Sequence, residues 1–174
     1  MKIKDYKHIV LIGPTGAGKT TIGSILAKNL KLPFYDVDNS LEHKCGVSVN
    51  VIFDIEKEQG FRVRETQMLA ELLEKPKSII ATGGGIIVTN ENIQLLQNSH
   101  CMIIYLKTDV NQQLYRLRKD KKRPLLQVNN RKQKLMDMAL IRNPLYESLA
   151  TVVVKTGFQS PHKMASLIMK RYFN

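Results

Sequence analysis

A glycine-rich segment near the start of the chain carries the clearest chemical pattern. It runs Gly13-Pro14-Thr15-Gly16-Ala17-Gly18-Lys19-Thr20-Thr21 and fits G-x-x-x-x-G-K-[ST], between an apolar strand-like run and a helical segment. Glycines allow backbone amides to surround phosphate oxygens, and a helix N-terminus adds the positive end of its dipole. Lys19 can bridge the β- and γ-phosphates, and the Thr20 hydroxyl can complete the coordination of Mg²⁺. The pattern therefore predicts a nucleotide-binding loop.

Two carboxylates follow at Asp36 and Asp38, where a short apolar run ends. If both stand on a strand, their i, i+2 spacing places them on one face of it. One could support the metal through water while the other grips or deprotonates a substrate hydroxyl. Solvated acids that cap the next helix are an equally good interpretation of this pair.

Two further features could serve a small anionic substrate. Arg62 and Glu65 are helical neighbours at i, i+3, so Glu65 could hold the Arg62 guanidinium ready for a carboxylate. A surface ion pair is the more ordinary interpretation of such a pair. Three consecutive glycines are costly in backbone entropy and suggest a backbone close to a ligand, with a flexible loop as the alternative; they are Gly83, Gly84 and Gly85.

The rest of the chain must position these residues, and it alternates strand-like with helix-like segments. Short apolar runs predict buried parallel strands at His8–Ile12, Pro33–Val37, Ser78–Ala81, Cys101–Leu106 and Thr151–Lys155. Helical periodicity predicts helices at Lys19–Leu30, Val49–Glu74 (as two helices), Asn90–Gln97, Asp109–Arg118, Arg131–Leu149 and Pro161–Tyr172. We expect the helix that contains Pro144 to break or kink, because proline lacks an amide donor. The alternation predicts an α/β fold with a parallel sheet.

Length and composition limit the class of protein. The chain has 174 residues, of which 43% are hydrophobic and 24% charged, which excludes disorder and suits one domain. Its longest apolar runs are too short to span a membrane, and its N-terminus has no secretory pattern. Two cysteines make neither a disulfide scaffold nor a zinc site. We therefore expect a soluble, cytoplasmic, single-domain protein over residues 1–174.

The net charge of +12 is unusual, and it is concentrated in one segment. Nine cations and one acid lie between Arg116 and Lys134, so this segment carries +8 and the other 155 residues carry +4. Residues 119–130 also lack apolar periodicity, which predicts a basic, mobile surface loop. Such a charge favours partners that carry phosphate, either nucleotides or nucleic acid.

Taken together and in this order, the motifs resemble the shikimate kinase family along essentially the whole chain. After the phosphate loop, the shared segments are Phe34-Tyr35-Asp36-Val37-Asp38, Phe61-Arg62 with Glu65, Gly83-Gly84-Gly85, Lys122-Arg123-Pro124-Leu125-Leu126 and Arg142-Asn143-Pro144-Leu145-Tyr146. The resemblance implies a three-layer P-loop kinase fold, in which helices flank a five-stranded parallel sheet beside a mobile lid at about residues 116–131. It implies a monomer that uses Mg²⁺ and transfers the ATP γ-phosphoryl group to the 3-hydroxyl of shikimate. The products would be shikimate 3-phosphate and ADP, in aromatic amino-acid biosynthesis.

The resemblance also implies roles for individual residues. ATP would be bound by Gly16, Ala17, Gly18, Lys19, Thr20, Thr21, Arg116, Arg123 and Gln159. Thr20 would bind Mg²⁺ directly and Asp36 through water. Shikimate would be held at its hydroxyls by Asp38, at its carboxylate by Arg62 and Arg142, and beside its ring by the backbone of Gly84 and Gly85. Lys19, Asp38 and the lid residue Arg123 would act in catalysis. Lys57 departs from the family, which often has glycine at that position.

Two alternatives stay open on the sequence alone. One is another small P-loop kinase, for gluconate, a nucleotide or adenylylsulfate, which a panel of substrates would distinguish. The other is a nucleic-acid-binding or regulatory protein that uses the basic surface and a nucleotide switch. Aromatic residues make up only 6% of the chain and form no recognition motif, so we expect neither nucleic acid nor membrane as a partner. Nucleic-acid affinity that falls steeply with salt, without shikimate-dependent ATP consumption, would favour the second alternative.

We predict that Arg123→Ala lowers turnover far more than it weakens ATP binding to the open enzyme. A cation that meets the transferring phosphate only after lid closure stabilises the transition state alone, so its loss should reduce turnover by about 10³-fold. Nucleotide titration and an ADP-release assay measure the two effects separately. If turnover falls less than about tenfold, or ATP affinity falls in step with it, Arg123 does not act by lid closure and is one of several solvated lid charges, beside Lys121 and Lys122.

Overall fold

A five-stranded parallel sheet with helices on both faces forms the described part of the chain, residues 5–118, 120 and 124–173 of this computed structural model. The sheet order is β2-β3-β1-β4-β5, with β1 at His8–Ile12, β2 at Phe34–Asp36, β3 at Ser78–Ala81, β4 at Cys101–Lys107 and β5 at Val152–Lys155. The helices are α1 (Lys19–Leu30), α2 (Val37–Cys45), α3 (Val49–Glu74), α4 (Asn90–Asn98), α5 (Val110–Leu117), α6 (Arg131–Leu149) and α7 (Pro161–Tyr172). Two short 3-10 turns lie at Ile86–Val88 and Pro124–Leu126. None of the described helices combines the length and the apolar character needed to cross a membrane.

Side chains alternate along each strand, so the sheet has two apolar faces. In β1, Val10 and Ile12 join a core formed with α2, α3, α4 and α6, whereas Ile9 and Leu11 join a core formed with α1 and α7. Every residue of β1 is buried, as expected for a central parallel strand. Because all strand pairs are parallel, their carboxyl ends meet at one edge of the sheet, where ligands bind in such folds.

Most of the predicted elements are confirmed within one or two residues, but α2 was missed. The strand expected at Pro33–Val37 ends at Asp36, and the helix starts at the next residue. The Asp36 carboxylate caps this helix, because it accepts a hydrogen bond from the Asn39 amide at 3.1 Å. The prediction that Asp36 and Asp38 share a strand face is therefore wrong, since Asp38 lies in the first helical turn.

Of the two long helices, α3 is interrupted and α6 is continuous. The predicted division of α3 is confirmed, because Lys57 interrupts it with a φ of 60° and a ψ of −173°. A break in α6, one of the two predicted outcomes, is absent, since the helix runs through Pro144. Leu135 packs against a core before the proline and Tyr146 packs after it, so tertiary contacts on both sides offset the lost backbone donor.

The predicted lid is only partly covered by the structure, because residues 119 and 121–123, and with them Arg123, lie outside the described residues. The prediction of a surface loop over residues 119–130 is wrong at Leu126, which is buried against Leu117 and Leu135. Arg131 reinforces this cluster by donating hydrogen bonds to the carbonyl of Leu117 at 2.8 Å and to that of Leu126 at 3.2 Å. The two ends of the segment are thus held together by one guanidinium.

We predict that Lys57→Gly stabilises the protein. The Lys57 backbone occupies a region that is essentially confined to glycine and costs other residues roughly 1–3 kcal/mol. Glycine loses roughly 0.5–1 kcal/mol through its freer unfolded chain, so the net gain in unfolding free energy should be about 1 kcal/mol. Urea denaturation measures it. Lys57→Ala is the matched control, because it also removes the hydrogen bond to the Asp54 carbonyl but keeps the strained Cβ, and an equal gain there would contradict the explanation.

Candidate active site

The backbone of the phosphate loop has the positive φ angles that only glycine adopts easily, as the glycine-rich sequence predicts. Gly13 has a φ of 141°, and a Cβ on it would lie 2.7 Å from the Leu106 carbonyl oxygen of the neighbouring strand. Gly18 has a φ of 93° and is the N-cap of α1. No other residue type fits the Gly13 position without moving β4, so this glycine is required by close approach of the backbone.

Lys19 places its ammonium group inside the curve of this loop. The side chain is only 8% exposed, and Nζ donates hydrogen bonds to the carbonyls of Gly13 at 2.7 Å and Pro14 at 2.9 Å. The positive charge is therefore held where the loop amides and the N-terminus of α1 converge, which is where anionic oxygens would bind.

Thr20 and Asp36 meet at the mouth of the loop. The Thr20 hydroxyl donates a hydrogen bond to Asp36 Oδ2 at 2.6 Å, while Asp36 Oδ1 is occupied by its capping bond. A hydroxyl and a carboxylate beside a phosphate site are the hard oxygen donors that Mg²⁺ prefers. These two residues fit a magnesium ion without any further protein carboxylate, because Mg²⁺ usually keeps waters and phosphate oxygens as its other ligands.

The glycines after β3 are packed against charged side chains, which explains why they are glycines. A Cβ on Gly83 would stand 2.7 Å from Glu65 Oε1 and 3.1 Å from Asp38 Oδ1, so both carboxylates approach this one residue. A Cβ on Gly85 would lie 2.3 Å from Arg62 Nη2. The charged neighbours therefore explain Gly83 and Gly85 without the alternative of a flexible loop.

Gly84, the middle glycine, joins three parts of the site. A Cβ on it would lie 2.7 Å from Thr15 Oγ1 in the phosphate loop. Its carbonyl accepts a hydrogen bond from Arg142 Nη1 at 3.2 Å and another, short one from the Tyr146 hydroxyl. Arg142 therefore reaches the same edge of the sheet as Arg62, although 80 residues separate them along the chain.

Arg62 and Glu65 form the ion pair that their spacing predicts, but it is not a surface pair. Arg62 Nη1 lies 2.6 Å from Glu65 Oε2, and the Glu65 side chain is fully buried. Burial, which outweighs the attraction of Arg62, raises the pKa of Glu65 to about 7, and the nearby Asp38 charge acts in the same direction. Burial also lowers the pKa of Arg142. The charges in this part of the site are thus held close together with little solvent.

Arg116 lies on the opposite side of the phosphate loop. Its guanidinium donates hydrogen bonds to the carbonyl oxygens of Gly16 at 2.9 Å and Gly157 at 2.5 Å, so it connects the loop to the segment after β5. Gln159 lies in that segment and lines the same cleft. Arg116 and Gln159 therefore both border the cleft beside the phosphate loop.

A single cavity of about 930 Å³ includes all of the described residues to which the sequence assigned a function. Arg123 is the one assigned residue that lies outside the described ranges. The cavity is also lined by residues that sequence analysis had not assigned, including Thr15, Phe53 and Phe61. Phe53 and Phe61 pack together with ring centroids 4.5 Å apart, and only their helical spacing in α3 could have suggested a shared wall.

A parallel sheet of order 2-3-1-4-5, with a phosphate loop after its first strand and acid and arginine side chains facing that loop, defines a small P-loop kinase. The chain belongs to the shikimate kinase family, since the family model described as "Shikimate kinase" matches residues 15–172. This match favours a shikimate kinase over the other small P-loop kinases that the sequence had left open, those for gluconate, a nucleotide or adenylylsulfate.

Individual relatives agree with this assignment. The chain is 45% identical over 167 residues to a shikimate kinase of Shewanella sediminis, covering 96% of this chain and 97% of that protein. It is 52% identical over 152 residues to a shikimate kinase of Francisella philomiragia, covering 87% and 86%. The structure of Acinetobacter baumannii shikimate kinase in complex with shikimate superposes with a TM-score of 0.91 at 42% identity, covering 95% of this chain and 92% of that one. The protein is accordingly an ATP-dependent small-molecule kinase.

We predict that Glu65 makes stability depend on pH. Its pKa is about 7 in the folded protein against 4.5 for the ordinary carboxyl group, so the folded state holds the proton more tightly. The resulting stabilisation is complete below pH 4.5 and is lost as the pH rises through 7, by roughly 3 kcal/mol. The unfolding free energy of the parent minus that of Glu65→Gln should therefore fall over this range in urea titrations. A difference that stays flat or rises with pH would contradict the assignment.

Proposed function

We propose that this protein transfers the γ-phosphoryl group of ATP to the 3-hydroxyl of shikimate, giving shikimate 3-phosphate and ADP in aromatic amino-acid biosynthesis. The observation that carries the proposal is the pairing of Arg62 and Arg142 beside Asp38, in one cavity with the phosphate loop. A small polyhydroxylated acid needs guanidinium groups for its carboxylate and an acceptor for its hydroxyls. The relatives named as shikimate kinases, one of them solved with shikimate bound, support the same substrate.

At the substrate end, Arg62 and Arg142 bind the carboxylate in this proposal. Glu65 holds Arg62 in place, and the Gly84 carbonyl holds Arg142. Asp38 then accepts a hydrogen bond from a ring hydroxyl, and Gly83 to Gly85 allow the ring to lie against the backbone. The carboxylate anchor fixes one end of the substrate, so that only one hydroxyl faces the phosphate loop.

At the nucleotide end, the backbone amides of Gly16, Ala17 and Gly18 surround the phosphates and Lys19 neutralises them. Thr21 extends this contact at the start of α1, and Arg116 and Gln159 border the base. Thr20 and Asp36 would hold Mg²⁺, Thr20 directly and Asp36 through water, and the ion would neutralise charge on the phosphate oxygens. Lys19 and Asp38 thus act on opposite reactants.

Asp38 is the residue that receives the proton of the attacking hydroxyl in this mechanism. Phosphoryl transfer requires positioning and charge neutralisation more than covalent chemistry, so no nucleophile on the protein is needed. A lid at about residues 116–131 excludes water, and Arg123 brings a cation to the transferring phosphate. We further propose that residues 1–174 form one domain, which acts in the cytoplasm as a monomer without a nucleic-acid or membrane partner.

An ADP-release assay with and without shikimate tests the function directly. We expect ADP release to depend on shikimate and on Mg²⁺, and to stay near background with gluconate, a nucleoside monophosphate or adenylylsulfate. Equal release with any of these acceptors would contradict the proposed substrate.

We predict that Arg142→Ala raises the Michaelis constant for shikimate about ten- to a hundredfold, because a charge-assisted contact is worth roughly 1.5–3 kcal/mol. The Michaelis constant for ATP should change little. Arg64→Ala is the control, since Arg64 lies on α3 two residues from Arg62 but pairs with Glu56 on the surface, and both constants should stay near the parent values. An equal loss of affinity for both substrates would mean that Arg142 does not bind the carboxylate.

A further inference from the structure

Glu58 forms a second ion pair with Arg62, on the solvent side of the site. Glu58 Oε1 lies 3.0 Å from Arg62 Nη2, and the two residues are at i, i+4 in the part of α3 that follows the Lys57 interruption. The Glu58 side chain is 49% exposed, whereas that of Arg62 is 13% exposed. Arg62 thus has two carboxylate partners in the described structure, the buried Glu65 and the half-exposed Glu58.

Glu58 also acts on Arg142. Burial lowers the pKa of Arg142, and among the carboxylates that oppose this effect Glu58 is stronger than the fully buried Glu65. Electrostatic influence of this kind falls with distance and with solvent screening. The Glu58 carboxylate, which is bonded to Arg62, thus also favours the charged form of Arg142.

The donor atoms of Arg62 show what an incoming carboxylate would meet. Nε is buried without a hydrogen-bond partner, Nη1 is bonded to Glu65 and Nη2 to Glu58, while the planar face of the guanidinium covers Gly85, where even a Cβ would clash. A carboxylate that approaches Arg62 and Arg142 together therefore meets the Glu58 carboxylate beside Nη2. Two carboxylates in that space repel each other unless one leaves.

We propose that Glu58 is an internal competitor for the substrate carboxylate: it occupies Arg62 while the site is empty and has to move away when substrate binds. The proposal rests on the function proposed above and adds an affinity-determining residue to it. A half-exposed pair is weak enough to be displaced, whereas the buried Glu65 stays on Nη1 and keeps the guanidinium oriented. While it is in place, Glu58 also keeps inorganic anions from binding to the arginine pair.

The experiment compares the parent with Glu58→Gln, which removes the negative charge and preserves the size of the side chain. We expect the Michaelis constant for shikimate to fall about two- to fivefold, as fits a half-exposed ion pair, with the turnover number and the Michaelis constant for ATP unchanged. Inhibition by sulfate, competitive with shikimate, should become stronger by a similar factor. Glu56→Gln is the matched control, because Glu56 lies just before the Lys57 interruption and pairs with Arg64 instead of Arg62, and none of these quantities should change.

Other outcomes overturn the proposal. A higher Michaelis constant for shikimate in Glu58→Gln would make Glu58 a support for Arg62, and unchanged values for shikimate and sulfate would mean that it does not compete. Glu58→Asp provides a second variant should the first fail to fold; its shorter side chain should give a smaller decrease in the same direction. Failure of the proposed function is a separate result, because it appears in the parent as ADP release that does not depend on shikimate.

Discussion

The buried ion pair between Arg62 and Glu65 is the interaction on which the substrate end of this site depends. Removing two charges from water is expensive, and the cost is recovered only if each charge is closely paired and well placed. The chain meets this requirement by leaving out side chains at Gly83 and Gly85, where any Cβ would strike Glu65 or the Arg62 guanidinium. Gly83 and Gly85 are thus a consequence of the buried charges.

The nucleotide end is organised differently, through the backbone. Gly13 is fixed by its approach to the Leu106 carbonyl, Lys19 is folded back onto carbonyls of its own loop, and Arg116 bonds the loop to Gly157. These contacts use main-chain groups, which depend less on the identity of neighbouring side chains. The phosphate end therefore needs only a short motif, whereas the substrate end needs residues from β2, α2, α3, α6 and the turn after β3.

This difference explains what the sequence could predict. The phosphate loop and the Arg62–Glu65 pair are local, so their spacing along the chain was sufficient to predict them. Asp36 and Asp38 were expected to share one face of a strand. This expectation was wrong, because the Asp36 capping hydrogen bond starts a helix where the apolar pattern indicated that the strand continues. The continuity of α6 through Pro144 and the contact of Arg142 with Gly84 depend on tertiary packing, which no local pattern encodes.

The position of Gly84 has a consequence for how the two half-sites respond to each other. One residue contacts Thr15 of the phosphate loop and accepts hydrogen bonds from Arg142 and Tyr146 of α6, so it joins the two half-sites. If a ligand in one half-site displaces Gly84, it changes the free energy of filling the other. By thermodynamic linkage that effect is reciprocal, so the nucleotide would then alter affinity for the acid by the same factor as the acid alters affinity for the nucleotide.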